Sequence, residues 1–181
     1  MDQGDDYIPV PEVFWSFETG RPIDRCKLCG CDLMAEGTSY LIEKAFRNGE
    51  TIFEHALCLE CHMECVKELS QESLRRIRAY FDELGDMEHY RAQSLDRFGT
   101  DPEKWIAHCM VKGYPIRECE EYQLYGFCVD RDLLFNGAPY ALCGEAIDEI
   151  MDLLSAETRG ALDALSDRIF GIDAPKDLLV F

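Results

Sequence analysis

The apolar positions change their spacing along the chain, and the first changes predict a hairpin followed by a helix. Apolar residues concentrate at 38–42 and 51–53, on either side of Asn48-Gly49. Asn-Gly favours a two-residue type I′ turn because both positions need a positive φ, so two paired strands are predicted here. Across 58–69 the apolar residues recur at intervals of three and four, which predicts a helix beginning near Cys58.

The same patterns predict a mixed sequence of elements in the remaining chain. Helices are predicted over 70–84, 86–98, 100–110, 144–154 and 155–170, and short strands over 122–125, 127–129, 133–135 and 140–142. Asn136-Gly137 predicts a second hairpin turn. Because runs of strands and runs of helices follow one another without regular alternation, the predicted fold class is α+β.

Changes of composition predict three segments. Residues 1–21 form an N-terminal arm rich in proline, in which Phe14 and Trp15 are expected to pack on the core. The alternative is an exposed segment that binds a partner. Residues 22–112 form a cysteine-containing module with a helical extension, and 113–181 form a small α+β module that ends in the apolar residues 178–181. Both halves contain an Asn-Gly pair followed by a cysteine and a helix, but the cysteine spacing differs, so no internal repeat is expected.

Two C-x2-C pairs carry the main chemical signal. Cys26 and Cys29 form the first pair, and Cys58 and Cys61 form the second, on the far side of the predicted hairpin. Each pair presents two thiolates from one tight turn, and four thiolates complete the tetrahedral shell of a closed structural zinc site. We therefore expect one structural Zn²⁺ per chain, bound by these four cysteines.

The order of knuckle, hairpin and helix resembles the treble-clef zinc fingers over about residues 22–70. In that family the first ligand pair lies on the knuckle and the second on the first turn of the helix. The resemblance thus implies the same ligands, Cys26, Cys29, Cys58 and Cys61, and a treble-clef-like module at 22–112. A shared architecture of this kind does not determine function.

A second ligand set stays open. His55, Cys58, Cys61 and Cys65 are similar in spacing to the middle of a LIM domain, which implies Cys26, Cys29, His55 and Cys58 as one site. The second site of a LIM domain would need a further cysteine pair about twenty residues on, and no cysteine lies between Cys65 and 109. Cys31 and Cys65 are expected to lie near the zinc but outside its ligand set.

The remaining cysteines offer a weaker hypothesis of a second metal site. They are separated by 9 to 15 residues and contain no C-x2-C pair; they are Cys109, Cys119, Cys128 and Cys143. Burial as small apolar residues is the favoured explanation for their presence. Cys143 also lies at a predicted helix start, where amide groups stabilise a thiolate.

The charge of the chain argues against nucleic acid as a partner. The formal net charge is −18, and residues 113–181 hold five Lys or Arg against 14 Asp or Glu, a net −9. Binding to phosphates requires basic side chains, so neither DNA nor RNA is expected, and a protein partner is expected instead. Ten cysteines with no apolar export segment predict reduced thiols in the cytoplasm, and no membrane span is expected.

The motifs of common enzymes are missing from the sequence. It contains no H-E-x-x-H, G-x-S-x-G, Walker A or Rossmann glycine pattern. These observations favour a zinc-stabilised cytosolic binding or scaffold protein. The alternatives are a thiol-based redox or metal sensor, and an enzyme with an unrecognised site in 113–181.

Overall fold

The computed structural model describes residues 6–171, and a long antiparallel hairpin lies at its centre. Strand β2 (Ser39–Arg47) turns at Asn48-Gly49 into β3 (Glu50–Cys58). Asn48 has φ of 52° and Gly49 has φ of 79°, which confirms the predicted type I′ turn. The last residue of β3 is also the N-cap of α1 (Leu59–Lys67), so the hairpin leads directly into the helix.

The other elements of the chain are as follows: β1 (Tyr7–Pro9), α2 (Gln71–Asp82), α3 (Met87–Phe98), α4 (Pro102–Trp105), β4 (Glu121–Val129), β5 (Asp132–Leu134), β6 (Tyr140–Cys143), α5 (Gly144–Leu153) and α6 (Ala156–Phe170). Short 3₁₀ turns cover Glu12–Phe14 and Ile116–Glu118. The predicted α+β class is correct, since helices and one antiparallel sheet occur together. Among residues 6–171, no helix is long and apolar enough to cross a bilayer.

One six-stranded sheet joins the two halves of the chain. β2 pairs with β3 on one side and with β4 on the other, over nine positions from Ser39 opposite Val129 to Arg47 opposite Glu121. The far side of β4 pairs with both β5 and β6, and β1 extends the sheet beyond β5. The sequence predicts a boundary between residues 112 and 113. Strands β1 to β3 lie before it and β4 to β6 lie after it, yet all six belong to one sheet.

The N-terminal segment lies on one face of this sheet. Phe14 is fully buried, and the backbone oxygen of Trp15 accepts a hydrogen bond from Lys44 Nζ on β2 at 2.6 Å. Gly126 on β4 allows this approach, since a Cβ there would lie 3.2 Å from the Phe14 ring. Helix α6 covers the opposite face, where Phe170 contacts His55 with ring centroids 5.3 Å apart. The apolar residues 178–181 lie outside the described residues.

Three expected elements differ from the structure. Asn136-Gly137 connects β5 to β6, which do not pair with each other, so it is not a hairpin turn. The tight turn lies at Asp130, whose φ of 55° lets β4 reverse into β5. The strands expected at 122–125 and 127–129 form one strand. The helix expected to reach residue 110 ends at Trp105, because the chain there enters a turn around Cys109.

Candidate metal centre

A tight turn presents the first two cysteines of the site. The Gly30 N–H donates to the Cys26 carbonyl at 2.9 Å, and Gly30 has a φ of 73°, which favours glycine. The Lys27 N–H donates to the Ala56 carbonyl of β3 at 2.9 Å. This hydrogen bond attaches the turn to the strand that leads to the second cysteine pair.

The start of α1 presents the other two cysteines. Cys58 is the N-cap, and its sulfur accepts a hydrogen bond from the Cys61 N–H at 3.5 Å. The Cys58 N–H in turn donates to the sulfur of Cys26 at 3.4 Å. Backbone amides of the turn and of the helix therefore face the sulfurs, as expected for a site that stabilises thiolates.

The structure brings the four predicted cysteines together. The Sγ atoms of Cys26, Cys29, Cys58 and Cys61 all lie within 4.8 Å of one another. Within residues 6–171 they form the only group of three or more candidate ligand atoms this close together. All ten cysteines are free thiols, so no disulfide competes for these sulfurs.

The sulfur spacing fits a tetrahedral metal ion. Four thiolates at about 2.3 Å from Zn²⁺ would place neighbouring sulfurs about 3.8 Å apart. The Sγ atoms of Cys29 and Cys58 lie 3.8 Å apart. Four sulfur donors can fill the tetrahedral shell and leave no open position for water, so the chemistry of the set is that of a structural site.

The backbone around Cys26 favours its thiolate. Burial raises its pKa, but the N–H groups of Cys29, Cys58 and Leu28 outweigh burial and bring the pKa to about 6. At Cys61, burial and the neighbouring sulfurs raise the pKa. Without a cation the cluster would therefore keep some of its protons, and a bound metal ion would displace them.

His55 does not lie with these sulfurs. It is buried on β3 with its Nε2 3.7 Å from Glu43 Oε2, and burial lowers its pKa to about 3. Cys58 pairs with Tyr40 while His55 pairs with Glu43, so the two side chains point to opposite faces of the sheet. The structure thus places Cys61, and not His55, beside the other three candidate ligands.

The two nearby cysteines have different surroundings. Cys65 is buried in the main core. Cys31 lies beside the cluster, and burial together with the sulfurs of Cys29 and Cys58 raises its pKa to about 12. Both lie outside the four-sulfur group, as the spacing predicted.

The four later cysteines do not form a comparable group among the described residues. Cys128 lies in the core, where its thiol interacts with Tyr40, and burial raises its pKa to about 12. The other three, Cys109, Cys119 and Cys143, lie near one another. Their sulfurs are not all as close together as those of the first cluster, which lie within 4.8 Å of one another. No protein-family model, curated protein or solved structure matches this chain.

Proposed function

We propose that this protein is a zinc-stabilised binding protein that acts through contact with another protein. The four thiols within 4.8 Å of one another carry this proposal. Two come from a turn and two from a helix start, so one ion would link two elements that are separate along the chain. Zn²⁺ is the metal proposed because it prefers four thiolates in a tetrahedral structural site.

The local architecture supports a treble-clef-like module. The turn at Cys26, the hairpin of β2 and β3, and helix α1 follow in the order that this class of zinc finger uses. The short turn buries little apolar surface by itself, so the free energy of metal binding would contribute directly to folding. In this role the ion holds the module together and takes no part in chemistry.

The surface next to the site supports a contact role. Leu59 and Met63 are one turn apart on α1, and they are 38% and 48% exposed. The net charge of −18 would attract a partner with a basic surface and speed its association. We therefore propose that α1 presents an apolar contact surrounded by negative charge, and that its partner is a basic protein.

Metal content tests the structural part of this proposal. Purified protein should contain about one equivalent of zinc, as one closed four-ligand site requires. Cys61→Ser should lower the zinc content and affinity, whereas Cys65→Ser should retain the metal because Cys65 lies outside the group. Wild-type protein that binds no zinc, or C61S that binds zinc as wild type does, would contradict it.

Crosslinking and pull-down from extracts of the source cells test the contact role. The double variant Leu59→Ser/Met63→Ser should lose the captured partner, and raising the salt concentration should weaken its capture by wild type. Leu84→Ser is the control, since Leu84 is 41% exposed and follows α2, outside helix α1. Equal capture by wild type and L59S/M63S would contradict this role.

A redox-sensing role is the second candidate, and the exposure of Cys29 favours it. Cys29 is exposed while Cys26 and Cys58 are buried, so an oxidant could reach one sulfur of the cluster directly. Peroxide should then release the metal reversibly, and a thiol reductant should restore binding. The hypothesis of an enzyme with a site in 113–181 and the cytoplasmic location both stay predictions.

A further inference from the structure

A sequence similarity links the two helix starts of the chain. Residues 56–73 are ALCLECHMECVKELSQES, and residues 141–158 are ALCGEAIDEIMDLLSAET. The identical positions include the cysteine at each N-cap and the serine that begins the next helix. The first segment contains the end of β3, α1 and the start of α2, and the second contains the corresponding parts of β6, α5 and α6.

The two cysteine turns share their backbone hydrogen bonds. Gly30 N–H donates to the Cys26 carbonyl at 2.9 Å, and Gly113 N–H donates to the Cys109 carbonyl at 2.8 Å. The φ angles of these glycines are 73° and 71°. Around Cys109 the chain thus repeats the turn that presents the first candidate metal ligand.

Each turn is attached in the same way to the strand that leads into the helix, β3 in the first half and β6 in the second. Lys27 N–H donates to the Ala56 carbonyl at 2.9 Å, and Met110 N–H donates to the Ala141 carbonyl at 2.8 Å. In both cases the acceptor lies two residues before the cysteine that caps the helix. The relation between turn, strand and helix is therefore the same in both halves.

The sulfur of each turn also faces the helix start in the same way. Cys58 N–H donates to the Cys26 sulfur at 3.4 Å, and Cys143 N–H donates to the Cys109 sulfur at 3.3 Å. Cys109 therefore occupies the position of Cys26, and Cys143 occupies that of Cys58. Two of the four ligand positions thus hold cysteine in both halves.

The sheet relates the halves by a local two-fold axis. Asn48 N–H donates to the Glu120 carbonyl at 2.7 Å, and Asp130 N–H donates to the Thr38 carbonyl at 2.9 Å. Asn48 and Asp130 follow β2 and β4, and both have a positive φ. Since β2 and β4 pair antiparallel, these reciprocal bonds place an axis between the two strands.

The halves differ at the other two ligand positions. In the second half, Lys112 lies at the position that corresponds to Cys29, and Ala146 lies at the position that corresponds to Cys61. Lys112 Nζ forms ion pairs with Glu149 and, at 3.3 Å, with Glu145, both on α5. An ion pair between turn and helix thus stands where a shared metal ion would link them in the first half.

We propose that the C-terminal half is a second copy of the turn, hairpin and helix unit, whose metal site was replaced by the Lys112 ion pairs. Cys109, Cys143 and positions 112 and 146 then form a latent tetrahedral metal site. The wild-type second copy binds no zinc, and two cysteines restore a site for this ion. The inference shares with the proposed function only the assumption that the first four-thiol cluster binds metal.

Cobalt binding to the double variant Lys112→Cys/Ala146→Cys tests the latent site. Reduced protein is titrated with Co²⁺ without oxygen, and the sulfur-to-cobalt absorption bands are measured together with the metal content. The variant should bind one equivalent more than wild type. Cys109→Ser added to this variant should weaken binding of the extra equivalent sharply, whereas Cys119→Ser should not, because Cys119 has no counterpart in the first set.

The single variant Lys112→Cys keeps the test decisive if the double variant folds poorly. It supplies three sulfurs to the latent site, so weaker binding of a second Co²⁺ is expected. If neither variant binds more metal than wild type, the proposal is wrong, and it is also wrong if wild type binds two equivalents. Wild type that binds none contradicts the proposed function instead, while a gain by the variants would still support the latent site.

Stability measurements test the replacement by an ion pair. Lys112→Met should raise the unfolded fraction at a given urea concentration more than Lys67→Met does. Lys67 is the matched control because it pairs with Glu64, the counterpart of Glu149, but within its own helix. The effect of K112M should shrink when Glu145 and Glu149 are already Gln. Equal effects of K112M and K67M would contradict the bridging role of Lys112.

Discussion

Ser70 and Ser155 form a hydrogen bond between their hydroxyl groups, with the two Oγ atoms 2.9 Å apart. Each also caps a helix, since Ser70 accepts from the Ser73 N–H at 3.1 Å and Ser155 accepts from the Thr158 N–H at 3.2 Å. The backbone bonds are reciprocal: Ser70 N–H donates to the Thr158 hydroxyl and Ser155 N–H to the Ser73 hydroxyl, both at 2.9 Å. Helices α2 and α6 thus begin from one shared cluster.

Removal of either capping hydroxyl should destabilise the protein. Ser155→Ala should cost about 1–2 kcal/mol, since an N-cap is lost and buried hydroxyl partners lose a hydrogen bond. The double variant Ser70→Ala/Ser155→Ala should cost less than the sum of the single changes, because both remove the same bond. Urea unfolding of the four proteins measures this coupling.

Asp86→Ala is the control for that coupling. Asp86 caps α3 by accepting from the Glu88 N–H at 3.1 Å, and its side chain makes no hydrogen bond to the serine cluster. D86A and S155A should therefore be additive within about 0.5 kcal/mol. Additivity of S70A and S155A would show that the shared bond contributes nothing to stability.

The four-cysteine cluster could be predicted from the sequence because its signal is local. Each C-x2-C pair lies in one turn, and Asn48-Gly49 brings the strands that separate the pairs together. The pairing of β2 with β4 could not be predicted in this way, since it joins residues about eighty positions apart. The alternation of apolar and polar residues along β2 or β4 does not specify which strand lies beside it in the sheet.

The proposed second copy could not be predicted from cysteine spacing, because Lys112 and Ala146 lie at two of the four positions that hold cysteine in the first half. Without two C-x2-C pairs, its spacing does not indicate a metal site. Asn136-Gly137 also suggested a hairpin turn that the structure places at Asp130 instead. The available signal was the similarity of 56–73 to 141–158, which a comparison of the chain with itself would have found.

Metal removal should destabilise both halves in one transition. β3 leads to Cys58 and pairs with β2, which pairs with β4 over nine positions, so loss of the metal-linked turn also affects the shared sheet. An ion present at about 1,000 times its Kd contributes about 4 kcal/mol. In a chain of this size, that corresponds to roughly 8–16 °C in Tm.

Thermal unfolding with and without a zinc chelator measures this effect. Far-ultraviolet circular dichroism follows the helices, and tryptophan fluorescence follows Trp15 in the N-terminal segment and Trp105 before the second turn. The two signals should shift together if the sheet makes one cooperative unit. A chelator that lowers the Tm of one signal while the other keeps its original Tm would show that parts of the chain unfold separately.

Gly126→Ala should destabilise the packing of the N-terminal segment on the sheet. A Cβ at this position would lie 3.1 Å from Leu133 Cδ1 and 3.2 Å from Phe14 Cε1, and both side chains are fully buried. Overpacking of this kind costs about 1–3 kcal/mol. Gly160→Ala is the control: no atom lies within 4 Å of its Cβ, so the helix should gain about 0.5–1 kcal/mol. Urea unfolding should give opposite signs for the two variants.

Glu43 and His55 should make opposite contributions to the pH dependence of stability. Burial raises the pKa of Glu43 well above its usual value, so the folded state keeps a proton that the unfolded state loses above about pH 4.3. The contribution of Glu43 to the free energy of unfolding therefore falls as pH rises. Burial lowers the pKa of His55 to about 3, so stability from His55 rises with pH until about 6.5, its unfolded pKa.

Glu43→Gln should remove only the contribution that falls with pH. The variant should become more stable than wild type at pH 7, because its folded state does not have to take up a proton there, and this gain should shrink toward pH 4. Glu54→Gln is the matched control on β3. Burial raises the pKa of Glu54, but hydrogen bonds from Phe17 and Ser16 and the charge of Lys44 outweigh it and lower the pKa. E54Q should therefore destabilise the protein at neutral pH and approach wild type as pH falls through the Glu54 pKa. Urea unfolding from pH 5.5 to 8.5, with zinc bound, should show the E43Q difference changing with pH and the E54Q difference staying constant, because the lowered Glu54 pKa lies below this range. A loss of stability in E43Q that is constant over this range would show that Glu43 is ionised in the folded protein.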